Sequence, residues 1–113
     1  MRNIISNNRR NRKGLKVGLW VFYDNDGNLW FKGAYKNDRR EGIWEEYYMN
    51  GNLFTKGSYI NDDKVGYWEE YYDNGQLYSK GSYVNGLRGG LWEYYYRNGE
   101  LQLSKTYINN FCG

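Results

Sequence analysis

Along most of the chain, aromatic and β-branched residues alternate with polar ones in short runs, and the runs are separated by Asn-Gly or Asp-Gly. Alternation of this kind predicts strands, and an Asn-Gly between two such runs predicts a hairpin. No helical period competes, and the chain has no Pro to interrupt a ladder. The pattern also repeats. Trp20, Trp44, Trp68 and Trp92 stand 24 residues apart, each preceded two places earlier by Gly18, Gly42, Gly66 or Gly90. Tyr23, Tyr47, Tyr71 and Tyr95 follow, then a turn glycine (Gly27, Gly51, Gly75, Gly99) and a leucine (Leu29, Leu53, Leu77, Leu101). Tyr35, Tyr59, Tyr83 and Tyr107, with Asn37, Asn61, Asn85 and Asn109, complete the unit. A fixed period of this length means one small supersecondary unit stacked on copies of itself. The expected fold is all-β: a single file of four antiparallel hairpins in an elongated, twisted sheet, with repeats at 18–41, 42–65, 66–89 and 90–113.

A two-residue Asn74-Gly75 turn of type I′ sets a register in which Tyr72 faces Leu77, Tyr71 faces Tyr78, Glu69 faces Lys80 and Trp68 faces Gly81. The same register sets Glu45 opposite Lys56, a favourable cross-strand pair. It also sets Trp20 opposite Gly33 and Trp44 opposite Gly57, so that each indole lies across the bare backbone facing it. Trp92 meets Lys105 instead, which marks the last repeat as an atypical, capping one. Alternation then puts Trp68, Tyr72, Leu77 and Tyr83 on one face, expected to be buried. Glu69, Tyr71, Tyr78 and Lys80 fall on the other. That second face carries an aromatic row: Tyr23 and Trp30, Tyr47 and Phe54, Tyr71 and Tyr78, then Tyr95. A bulge near the tryptophan would change this parity.

A row of hairpins has no globular centre, and 14 Tyr and 5 Trp supply much of the apolar content. Such rings bury large areas yet keep a polar handle at the water boundary. Charge is uneven. Residues 1–17 hold Arg2, Arg9, Arg10, Arg12, Lys13 and Lys16 with no acid, while the rest of the chain is net acidic. Residues 1–12 read as a basic, solvated arm. Because Gly14-Leu15-Lys16-Val17-Gly18 matches Gly86-Leu87-Arg88-Gly89-Gly90, order is expected to begin near Lys13. The single Cys112 allows no internal disulfide, and no apolar run is long enough for a signal segment or a membrane span, so a cytoplasmic location is expected.

The frame G-x-W-E-E-Y-Y-x-N-G-x-L-x-x-K-G-x-Y-x-N resembles the bacterial variant of the MORN repeat, found in bacterial and phage proteins that include the YwqK-type antitoxin family. The resemblance spans Lys13 to the carboxyl end. It implies single-file hairpins, and a part in protein contacts, scaffolding or homodimerisation rather than in a named reaction.

No catalytic residue, cofactor or metal is expected. The chain has no His, and the lone Cys112 has no partner to activate it. Glu45-Glu46 and Glu69-Glu70 are adjacent on strands, so the members of each pair point to opposite faces. Asp24, Asp26, Asp62 and Asp63 read as turn residues and lack the order of ligands of a calcium loop. The leading expectation is therefore a non-enzymatic protein-binding module, of the kind used by a small inhibitor such as an antitoxin, an immunity factor or a phage-encoded blocker of a host defence enzyme. The contact residues expected are Tyr47, Phe54, Tyr71 and Tyr78, flanked by Trp30 and Tyr95, since large and partly polar rings dominate binding hot spots. The alternative is nucleic-acid binding. It would use Arg9, Arg10 and Arg12 of the arm together with Arg39, Arg40 and Arg88, read as inter-repeat loop residues that form a basic edge with Lys64. A self-assembling scaffold is the third reading. The open edge strands offer a route to a homodimer, with Lys105, Asn109 and Asn110 blunting the carboxyl edge or Phe111 and Cys112 packing into it. A membrane partner is not expected, for want of an amphipathic helix.

Overall fold

The structure, a computed structural model, describes residues 8–108. All of its regular structure is strand: β1 (Arg9–Arg10), β2 (Lys16–Tyr23), β3 (Leu29–Lys36), β4 (Arg39–Tyr47), β5 (Leu53–Ile60), β6 (Asp63–Tyr71), β7 (Leu77–Val84), β8 (Leu87–Tyr95) and β9 (Leu101–Tyr107). They form one antiparallel sheet in chain order. The molecule measures 44 × 42 × 18 Å, so it is one layer deep and presents both faces of its sheet. Pairing already includes residues 8–10, ahead of Lys13. Arg9 and Arg10 pair with Val17 and Lys16, and the Asn8 side chain holds both the N–H and the C=O of Val21, as a further strand residue would. The expectations placed on Asn109, Asn110, Phe111 and Cys112 fall outside the described residues.

The expected hairpin register holds through the body of each repeat: Trp68 pairs with Gly81, Glu69 with Lys80 and Glu70 with Ser79. At the tip it fails by one residue, because Tyr71 pairs with Leu77 and Tyr78 bulges out between. The cause is the turn. Gly75 N–H bonds to the Tyr72 carbonyl at 3.0 Å, Tyr72 N–H to the Gln76 carbonyl at 2.8 Å, and Gly75 alone takes the left-handed conformation, at φ 90°. This is a three-residue loop with a glycine bulge rather than a type I′ turn. The Asn74 carboxamide oxygen steadies it by accepting the Gln76 N–H at 2.9 Å. The two-residue turns with both φ values positive lie between repeats instead, at Asn37-Asp38, Asn61-Asp62 and Asn85-Gly86.

The glycine before each tryptophan makes a second bulge. Between the Lys56–Glu69 and Ser58–Val65 pairs, Gly57 alone stands opposite Gly66, Tyr67 and Trp68. Gly66 absorbs the extra length at φ 69°, a region costly for residues with a side chain. The bulge swings Trp68 back over the preceding hairpin, where a Cβ on Gly57 would fall inside its indole ring. Trp44 covers Gly33 and Trp92 covers Gly81 in the same way. The indole therefore does not cover its own register partner, as the pairing alone suggested. It locks its repeat to the one before, and its N–H bonds across to a backbone carbonyl: Trp44 to Ala34 at 3.0 Å, Trp68 to Ser58 and Trp92 to Ser82 at 3.1 Å. Trp92 is thus a regular member of the series. Position 105 stands where Gly33, Gly57 and Gly81 stand in the earlier repeats. The Lys105 ammonium extends over Tyr107 there, 5.1 Å from the ring centroid.

These side chains build the core as a ladder of rings. Trp20, Tyr35, Trp44, Tyr59, Trp68, Tyr83, Trp92 and Tyr107 meet edge to face in unbroken succession, with centroids 5.0–6.3 Å apart. Such geometry adds to each pair's burial. The Trp/Tyr part of the expected buried face is correct. Leu29, Leu53, Leu77 and Leu101 leave it, since each pairs with Tyr23, Tyr47, Tyr71 or Tyr95 on the opposite side.

Candidate interaction faces

On the tryptophan side, Lys16, Arg40, Lys64 and Arg88 occupy one column, and each lies over rings of the ladder. The Arg40 guanidinium is 4.1 Å from the Tyr59 centroid, Lys64 is 4.7 Å from Trp68 and Arg88 is 4.8 Å from Trp92. Arg40 and Arg88 belong to strands β4 and β8, with Arg39 opening β4, so the loop edge of basic residues does not form. Arg40 also donates to Asp62 at 2.9 Å, and its backbone N–H reaches the same oxygen at 2.7 Å. Those two bonds hold the Asp62 carboxyl below its ordinary range. Arg10 sits over Trp20 at 5.2 Å and donates to the Gly14 carbonyl, Arg9 lies in β1, and Arg12 stands exposed in the turn that follows. The basic column is thus largely committed to packing. A groove of ≈ 260 Å³ on this side is lined by Phe31, Tyr35, Arg40, Glu46, Thr55 and Tyr59 among others.

The opposite, outer face has three bands. Its middle is an ionic ribbon in which Glu45 meets both Lys32 and Lys56 at 3.6 Å, and Lys80 meets Glu93 at 3.7 Å. Exposed pairs of this sort contribute roughly 0–1 kcal/mol each. Toward the hairpin tips runs a half-buried row of Tyr47, Tyr71 and Tyr95. Their hydroxyls donate to the ribbon's carboxylates, Tyr47 to Glu45 at 2.9 Å and Tyr71 to Glu69 at 2.6 Å. Burial and then the adjacent carboxylate disfavour the phenolate, which pushes Tyr47 up to about 12 and raises Tyr71 as well. A phenol whose folded value lies above its unfolded one stabilises the fold below the unfolded value, near 10, and that contribution is lost as pH rises through the folded value. Alkaline titration followed by tyrosinate absorbance should accordingly show late-ionising phenols near pH 12, with stability falling across pH 10–12. Tyr47→Phe should remove one of them.

Of the six expected contact residues, Tyr47, Tyr71 and Tyr95 lie together on this face. Tyr78 does not. The tip bulge turns its ring against Tyr72, with centroids 5.1 Å apart, and Tyr94, at 6.2 Å, on the tryptophan side. Phe54 follows the same path, packing on Tyr48 at 4.7 Å. Trp30 stands 47% exposed beside Phe31.

The third band, toward the inter-repeat turns, was not expected. Leu19, Ile43, Tyr67 and Leu91, the residues between each bulge glycine and its tryptophan, form an exposed column; Ile43 is 60% and Leu91 57% exposed. Their register partners are the small Ala34, Ser58, Ser82 and Thr106, so the large side chains stand clear of the sheet. Ile60, Val84 and Leu87, also exposed, extend the strip on the same face. The signal was present in the sequence: a large apolar residue precedes every tryptophan, and alternation sends it to the side opposite the indole.

Among the described residues no three His, Cys, Asp or Glu side chains cluster as metal ligands would, and no helix is long and apolar enough to cross a membrane. A family model described as a MORN repeat variant matches residues 16–37, 40–61, 64–85 and 88–109. A comparison with curated proteins found no match.

Proposed function

Because the chain belongs to the MORN repeat variant family, whose repeats are protein- or membrane-binding modules, we propose that it is a non-enzymatic protein-binding module that docks through its outer face. The observation that carries this reading is the apolar strip of Ile43, Ile60, Tyr67, Val84, Leu87 and Leu91, each 44–60% exposed. Isolated exposed apolar residues are ordinary, but a contiguous strip bordered by charge is the form of a protein interface. The strip lies against the lysine–glutamate ribbon, which supports a protein partner with its own apolar ridge and flanking charges. An inhibitor, whether antitoxin, immunity factor or blocker of a defence enzyme, works by covering a partner's surface and needs no chemistry of its own; this face suits that role.

The test is capture of a partner from the native host by the full chain, with matched variants. Tyr67→Asp combined with Leu91→Asp puts two charges into the strip and should weaken capture about 100-fold or more. Glu46→Ala combined with Glu70→Ala, on the tryptophan side, should leave it unchanged. Equal capture by both pairs of variants would remove the outer face from the account.

A further inference from the structure

The four hairpin tips are not equivalent. Tyr48 reaches across to donate to the Tyr71 carbonyl at 2.6 Å, and Tyr72 donates to the Tyr95 carbonyl at 2.7 Å. Asn50 and Asn52 add bonds to the Asp73 carbonyl, Asn74 adds one to that of Arg97, and Arg97 pairs with Asp73 at 2.8 Å. Tips two to four are laced together in this way. The first is not, because Asp24 occupies the position of Tyr48 and Tyr72. Its carboxylate turns back on its own loop, where one oxygen accepts the N–H groups of Asp26 and Asn28, both at 2.9 Å.

Two consequences follow from that one residue. A cleft of ≈ 550 Å³ opens between the first and second tips, with Tyr23, Asp24, Asp26, Trp30, Tyr47 and Met49 among its walls. Its size is that of a ligand site rather than a packing fault. Trp30 also loses its cover. The equivalent Phe54 and Tyr78 pack beneath Tyr48 and Tyr72, whereas no tyrosine lies over Trp30. The lining joins aromatic faces to two carboxylates and contains no Lys or Arg. Lys32, further along the strand that carries Trp30, is paired with Glu45. A planar cation fits such a lining, since a guanidinium stacks on an indole and takes carboxylate oxygens at its edge.

We propose that this cleft receives an arginine side chain of the partner protein. This deepens the outer-face docking reading and rests on it, since Tyr47 belongs both to the cleft and to that face. The probe is a capped Gly-Arg-Gly peptide titrated into the isotope-labelled full chain, with the indole N–H resonances observed and capped Gly-Gln-Gly as the neutral control. The Trp30 resonance should move saturably with the arginine peptide and not with the glutamine one. Asp24→Asn should weaken that response about 10-fold. Asp24→Tyr, which restores the lacing residue of the later tips, should abolish it while raising the melting temperature. An unmoved Trp30, an equal response to glutamine, or a full response in Asp24→Tyr would overturn the proposal. The assay contains no partner, so its failure leaves outer-face docking standing. Conversely, Tyr67→Asp/Leu91→Asp should keep the Trp30 response even where capture is lost.

Discussion

Gly57→Ala should destabilise the protein by roughly 2–4 kcal/mol, although it adds a single methyl group to a strand. Overpacking a filled site costs roughly 1–3 kcal/mol, and displacing the indole also loses its hydrogen bond, worth about 1 kcal/mol. The methyl would lie within the Trp68 ring, and that ring is held from its other sides by Tyr59 and Tyr83, at centroid distances of 5.1 and 6.0 Å. The melting temperature should fall by roughly 10–25 °C. Gly66→Ala is the contrasting case. No atom stands within 4 Å of its Cβ position, and the cost there, about 1–2 kcal/mol, comes from the φ of 69° alone. A double-mutant cycle should couple Gly57→Ala strongly to Trp68→Leu, whose ring covers it, and far less to Trp44→Leu, its register partner. Strong coupling to Trp44 instead would mean that each indole stays within its own hairpin.

The second large effect concerns how the array unfolds. Trp68→Ala removes a side chain 5% exposed and should cost roughly 3–5 kcal/mol. Trp68 also ties the third hairpin to the second through Gly57 and the Ser58 carbonyl, at the opposite end of the strands from the tip bonds of Tyr48, Asn50 and Asn52. In a single-file array the stability is a sum of unit and nearest-neighbour terms, so weakening a central interface uncouples the two halves. Urea unfolding should be a single transition for the unaltered chain and split into two for this variant. Trp92→Ala should loosen only the last hairpin and leave one main transition. Identical single transitions for both variants would show that the ring ladder is not what couples the repeats.

Much of this was legible in the sequence, because several columns constrain one another. Tryptophan opposite glycine and Glu45 opposite Lys56 agree on one hairpin register, and that register is observed. What could not be read came from residues added to one strand and not its partner. Asn74-Gly75 has the composition of a type I′ turn, yet the Asn74 side chain bonds forward to the Gln76 N–H and the loop takes in Asp73. One residue of slip at the tip then sends Leu77 to the outer face and Tyr78 to the inner one. Gly66 likewise spells a strand glycine in sequence, and only its left-handed φ shows that the tryptophan after it belongs over the previous repeat. For the same reason the expected contact residues divide between the two faces. Tyr47, Tyr71 and Tyr95 stand at the tip bulge but keep their expected side, because the residue it adds belongs to the facing strand, while the more exposed strip of Ile43, Tyr67 and Leu91 is formed by the residue before each tryptophan.

The most direct test of outer-face docking is photo-crosslinking in the native host, with a benzophenone side chain at Tyr67 in one variant and at Glu70 in another, one on each face of the same strand. The account predicts one heterologous protein adduct from position 67 and none from position 70. Adducts from position 70 alone, or adducts from position 67 only to a second copy of this chain, would contradict it.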